Sequence, residues 1–136
     1  MNHYQNHAID AMISGWTRID MLLALYDRAI STIRTAEEAQ AANDSSQLAV
    51  LKMEATRYLL ALHSGLNTDK YEIAVDVARL LNFVMLRLEQ NNFKEAVYFL
   101  KKLHASFESI REEATAMEKT GKIPPLSSSP TLNAIA

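Results

Sequence analysis

Cysteine is absent from this 136-residue chain, which removes disulfides, thiol nucleophiles and thiolate metal sites together and suits a reducing cytosol. Proline occurs three times, at Pro124, Pro125 and Pro130, so nothing before Lys122 breaks a helix by ring closure. Glycine is equally scarce, with three residues in the whole chain. Basic excess is missing too: the net charge is -2 and the pI near 6.1, which supplies no field for phosphate backbones and makes nucleic acid an unexpected partner. No stretch offers about 18 uninterrupted apolar residues, and the start "MNHYQNHAIDAMISGW" lacks a basic leader, so membrane insertion and secretion are not expected. These absences together predict a cytoplasmic protein.

Hydrophobic residues make up 49% of the chain, enough for one ordinary domain with a real core. Four periodic segments follow one another, each preceded by a capping residue with an acidic or amide residue three positions later: Thr17 and Asp20, Asp44 and Gln47, Asp69 and Glu72, Asn92 and Glu95. In such a box the cap side chain accepts from an orphan N–H and the later residue reaches back. The spacing predicts helices over about 18–42, 46–64, 70–90 and 93–119. Their core lines are Leu22, Leu25, Ala29, Ile33 and Ala36; Leu51, Ala55, Leu59, Leu62 and Leu66; Ile73, Val77, Leu80, Val84 and Leu88; and Phe93, Val97, Leu100, Phe107, Ile110 and Met117. Gly65 suits a left-handed helix end. Short connections predict an all-α, antiparallel up-down-up-down four-helix bundle over residues 17–119. Residues 1–16 form a separate segment and residues 120–136 have the composition of a flexible tail.

Catalytic patterns are missing from this scaffold. No glutamate has a histidine three residues later, as a di-iron carboxylate bundle requires, and no HExxH, phosphate-cradling glycine loop or nucleophile elbow occurs. Neither an enzyme nor a metal or cofactor site is expected. His63, in "LHSGL", has the setting of a histidine phosphotransfer bundle, but Leu66 stands where a lysine would steady the transferred phosphoryl group. Phosphotransfer stays open as an alternative, alongside an unrelated helical interaction module.

The third segment is too apolar for one buried face. Between Tyr71 and Leu88, 13 of 18 residues are apolar, and at about 100° per residue Tyr71, Val75, Ala78 and Leu86 fall nearly opposite the core line. That surplus is either covered by a terminal segment or left open as a groove for another protein's amphipathic segment. Tyr4, Ile9, Met12, Ile13 and Trp16 in the first sixteen residues could serve as the cover, a lid displaced by the partner. In "LYD", Tyr26 is expected at the edge of the core with its hydroxyl free to reach a polar partner, and Asp27 as a solvated charge.

The stretches "TRIDMLLALYDRAISTIRTAEEA", "DKYEIAVDVARLLNFVMLRLEQNN" and "ESIRE", taken in order over roughly residues 17–114, resemble the flagellin-specific export chaperones of the FliS family. The carried-over positions are Leu25, Tyr26, Asp27, Ala29, Ile30 and Ala36, then Glu72, Ile73, Ala74, Leu80, Leu88 and Asn91. Arg18 replaces a usual proline, Leu81 a frequent tyrosine and Ala114 a usual tryptophan; Tyr4 and His7 resemble a Tyr-x-x-Tyr pair whose second tyrosine is lost. The resemblance implies a chaperone without catalysis that binds the disordered C-terminal region of flagellin, prevents its premature polymerisation and presents it to the flagellar type III export gate. It would act as a monomer or weak homodimer. Candidate flagellin contacts are Tyr4, Ile9, Tyr26, Tyr71, Val75, Ala78 and Leu86.

Overall fold

A computed structural model describes residues 17–122. Tyr4, Ile9, the expected lid and the tail beyond Lys122 lie outside the described residues. Among those described, the structure is all-helical: α1 (Arg18–Ala41), α2 (Ser45–Ser64), α3 (Glu72–Glu89), α4 (Phe93–Ser109) and α5 (Arg111–Lys119). The expected fourth helix is therefore two. The chain turns at Ile110, whose backbone (φ -108, ψ 9) lies off the helical line, and α5 buries none of its residues. Ile110 and Met117, expected in the core, are exposed.

Three of the four expected caps form. Thr17 and Asp20 make the full reciprocal box, with the Thr17 N–H donating to Asp20 Oδ2 at 3.0 Å. The Asp44 carboxylate accepts from the Gln47 N–H at 3.1 Å, and Asn92 Oδ1 accepts from the Glu95 N–H while its amide donates to Glu95 Oε2 at 2.8 Å. Asp69 does not cap α3. The Lys70 and Tyr71 N–H groups both turn back to the Asn67 carbonyl, which delays the helix until Tyr71 becomes its cap without a side-chain bond.

Two connections share one construction. After α1 the left-handed residue is Asn43 (φ 56), and after α3 it is Asn91 (φ 60). In each, that residue's N–H bonds three residues back (Asn43 to Gln40, Asn91 to Leu88) and the next N–H bonds five back (Asp44 to Ala39, Asn92 to Arg87). This double closure satisfies the last carbonyls of the helix. The residue completing it, Asp44 or Asn92, then caps the following helix, so one dipeptide ends a helix and starts the next. Gly65 is not left-handed; at φ -79 and ψ -6 it simply continues the right-handed turn.

The core is built by α1 to α4. Tyr26, Ile33, Leu59, Leu62, Leu81, Val84, Leu88 and Leu100 are its largest fully buried side chains. α1 packs on α2 and α4, while α3 rests mainly on α4 and only thinly on α2. The inward face of α1 is Ile19, Leu23, Tyr26, Ala29, Ile30, Ile33, Ala36 and Ala39; the expected Ala29, Ile33 and Ala36 lie in it, while Leu22 and Leu25 are half-buried at its edge.

α3 is rotated more consequentially. Its buried line is Ala74, Ala78, Leu81, Val84 and Leu88, so Ala78 faces the core and Ile73 is 73% exposed. Val77 and Leu80 remain half-buried against the core. Two small residues at 74 and 78 let the start of α3 approach its neighbours closely, since interaxial distance follows side-chain size at the contact. Ile73 in that line would hold the helices apart.

The two ends of the described fold are clasped. Arg111 donates through Nε to Asp20 Oδ1 at 3.0 Å and adds a second bond to the same oxygen from Nη2, and the Arg18 N–H donates to Glu118 Oε1 at 3.2 Å. Burial alone would push the Asp20 carboxyl up, but the Thr17 N–H and the Arg111 guanidinium outweigh it and hold the group below the ordinary aspartate value of 3.8. A depressed carboxyl pKa contributes stability above the unfolded value that is lost as pH falls through the folded one. The stability difference between the parent and Asp20→Asn should therefore be fully present above about pH 4 and shrink below it, read from urea midpoints across an acid series. A constant difference down to pH 2 would show that Asp20 acts through shape alone.

Candidate protein-binding groove

The thin packing of α3 on α2 leaves a groove of about 500 Å³ between them. Lys52, Met53 and Thr56 of α2 and Asn82, Met85, Leu86, Leu88 and Glu89 of α3 line it. Buried Leu88 and half-buried Met85 form the floor, and Met53 and Leu86, 60% and 48% exposed, form the rims. Lys52 Nζ donates to the Glu89 carbonyl at 3.1 Å and ties the two helices at one end. At about 100° per residue Tyr71, Val75, Asn82 and Leu86 share the flank of α3 that turns toward α2. Tyr71, at the start of that flank, is half exposed with Lys70 Nζ 5.3 Å from its ring centroid.

Such an open apolar trough can bury part of an amphipathic segment, while Lys52, Asn82 and Glu89 offer polar groups at its margins. Chemistry needs more than this. Among the described residues no group of three histidine or acidic side chains could hold a metal ion. His63 is half-buried near the end of α2, and half-buried Leu66 follows it in place of a charge.

The candidate residues separate into three groups. Leu86 lines the groove, and Tyr71 and Val75 lie on its flank, Val75 half-buried. Ala78 and Tyr26 are corrections: each was expected at a surface and each is in the core, at 7% and 1% exposure. Tyr26 stacks on Phe107 with ring centroids 5.7 Å apart, joining α1 to α4, and burial pushes its phenol well above the ordinary tyrosine value. Tyr4 and Ile9 are outside the described residues. Asp27 is exposed as expected but reaches His104 Nε2 at 3.2 Å across the α1–α4 contact. Sequence reasoning missed Met53, Thr56 and Asn82. Its usable signal was Met53, an apolar residue off the α2 core line that faces the apolar flank of α3.

Among the described residues the domain is all-helical, with an apolar trough open between two of its helices. Its family is equally definite. Residues 1–120 match the family described as Flagellar protein FliS, and the chain belongs to that family, a chaperone family of flagellar biogenesis rather than one of enzymes. No curated protein matches the chain closely enough to be named beside it. No helix among the described residues is long and apolar enough to cross a membrane.

Proposed function

We propose that this protein is a cytoplasmic export chaperone that holds the disordered C-terminal region of flagellin in the α2–α3 groove. The observation carrying this reading is the pairing of an open apolar trough with exposed Met53, Tyr71 and Leu86 in a member of a flagellar chaperone family. A disordered segment that folds on binding must bury apolar area to offset its ordering cost, and the trough offers that area. Binding blocks polymerisation by occupying the segment, with mass action and no nucleotide, and the loaded complex is presented to the flagellar type III export gate. The same reading takes α1 to α4 as an antiparallel up-down-up-down bundle.

Titration calorimetry with a peptide from the flagellin C-terminal region tests it. Leu86→Asp should weaken binding by about tenfold or more, because it sets a charge into the desolvated contact. Its thermal stability should stay within about 0.5 kcal/mol of the parent, since the side chain is half exposed. No heat with the parent protein, or unchanged affinity of the variant, would overturn the assignment of cargo to this groove.

A further inference from the structure

α3 and α4 carry the same pattern on their outward sides. In α3, Phe83 has Arg79 four residues before it and Arg87 four after; in α4, Tyr98 has Lys94 four before and Lys102 four after. Residues four apart lie within about 40° round a helix and about 6 Å along it, so each ring stands between two cations on one face. The structure sets the two triplets side by side. Phe83 meets Phe99 edge-on with ring centroids 5.3 Å apart, Phe99 meets Tyr98 at 5.1 Å, and Arg87 Nε lies 3.6 Å from Glu95 Oε1. The pairs 83–99 and 87–95 step in opposite directions along the two helices, which brings Arg87 toward Lys94 and Arg79 toward Lys102. Three connected rings thus occupy the middle of a frame with a cation at each corner, roughly 12 Å long and 8–10 Å across. Arg87 rests over the Phe83 ring at 4.7 Å and Lys102 over the Tyr98 ring at 5.0 Å. Arg79, Lys94 and Lys102 have no ion-pair partner among the described residues, and Tyr98 is 53% exposed.

We propose that this α3–α4 face docks an acidic amphipathic helix of another protein, whose apolar seam rests on the rings and whose flanking carboxylates meet the corner cations. Charge chooses the occupant. Residues 1–16 carry one acidic side chain, Asp10, and residues 123–136 carry none, so neither segment supplies the countercharges. A second copy offering the same face would set cation against cation. Glu95 lies inside the frame and Asp76 falls within about 20° of Phe83 on α3. A continuous line of phosphates or a sheet of anionic headgroups meets repulsion there that separate carboxylates on a helix avoid. Phe83 and Phe99 are half-buried, which leaves little to insert into a bilayer. Cations already resting on rings lose little freedom when a carboxylate arrives, and the charge-assisted bonds that form are the stronger kind. Asn82 and Leu86 turn toward α2 whereas Phe83 and Arg87 turn toward α4, so this face and the cargo groove lie on opposite flanks of α3 and can be filled together.

This inference is independent of the cargo reading, and its test uses no flagellin. The probe is a fluorescent helical peptide of about 18 residues with a leucine seam flanked by glutamates, used beside a copy with glutamine at every glutamate. In anisotropy titrations the full chain should bind the acidic peptide at least about tenfold more tightly than the copy, and lose affinity severalfold between about 50 and about 300 mM salt. Reversing two corners, Arg79→Glu with Lys102→Glu, should weaken binding by about tenfold or more, and Tyr98→Ala by severalfold. The same charge change on α1, Arg28→Glu with Arg34→Glu, should alter it by less than about twofold. Circular dichroism melts of all these variants should match the parent, since every substituted position is exposed. Equal affinity for the two peptides, or an equal loss from the α1 reversals, would overturn the proposal. Tighter binding to phosphatidylcholine–phosphatidylglycerol vesicles at about 3:1, or to an oligothymidylate of about 20 nucleotides, lost in the same corner variant, would overturn it too, because the occupant would then be a membrane or a nucleic acid.

Discussion

Ala78→Asp is expected to remove most of the folding stability, whereas Ile73→Asp should leave the urea unfolding curve within about 0.5 kcal/mol of the parent. The two positions lie on the same helix, and a hydropathy scale alone ranks them the other way. What decides is burial: Ala78 is 7% exposed on the inward line of α3, and Ile73 is 73% exposed. A carboxylate at 78 must be desolvated with no cation on the core line to meet it, or take up a proton at a cost. Either route costs several kcal/mol, comparable to the roughly 5–15 kcal/mol that holds a domain of this size together. Unfolding followed at 222 nm distinguishes the outcomes. Equal destabilisation would mean that α3 presents Ile73 to the core after all.

Tyr26→Ala should cost about 3–5 kcal/mol, and Tyr26→Phe less than about 1.5 kcal/mol. The ring fills space between α1 and α4 at 1% exposure and stacks on Phe107, so its removal leaves a cavity and frees one side of that contact. Phenylalanine keeps the ring and its packing. The hydroxyl adds a pH signature. Because burial raises the phenol pKa above the ordinary value of 10.0, the folded state keeps a proton that the unfolded state gives up. Stability should therefore decline as pH rises above about 10, and Tyr26→Phe should flatten that alkaline limb. Similar alkaline slopes for the two proteins would show that the tyrosine ionises without disturbing the core. A cost for the alanine variant close to that of an exposed substitution would contradict the burial itself.

How far the sequence reached depended on how one-sided each segment is. In α2, polar residues at Lys52, Glu54, Thr56 and Arg57 leave the inward line Leu51, Ala55, Leu59 and Leu62 readable by periodicity, and it is the buried line. In α3, apolar residues occur nearly all round, so several stripes fit the period equally well. Size complementarity with the neighbouring helices decided among them, and that cannot be read along one helix. The same ambiguity misplaced Ala78 in the candidate groove, while Leu86, nearer the far end of the helix, lies on the open side in either rotation. Tyr26 was read as amphipathic because tyrosine commonly is. The contact that buries it comes from Phe107, 81 positions later, which no local pattern announces. The pairs at Asn43–Asp44 and Asn91–Asn92 were half legible: the caps were visible, the left-handed asparagines before them were not, because asparagine adopts that conformation without requiring it.

The clasp between Asp20 and Arg111 joins residues 91 apart in sequence, and the Arg18–Glu118 bond joins residues 100 apart. Bringing such distant points together costs more chain entropy than any neighbouring helix contact, and a few polar bonds repay it only once the intervening helices are already in place. α5, with no buried residue, is therefore the last element to settle during folding and the first to detach afterwards. Its release would free the N-terminal turn of α1, and with it the point where residues 1–16 join the fold, while Tyr26 and the rest of the interior stay sealed. The molecule thus has two grades of cohesion, a cooperative interior and a terminal latch that opens on its own, at a smaller free energy than global unfolding.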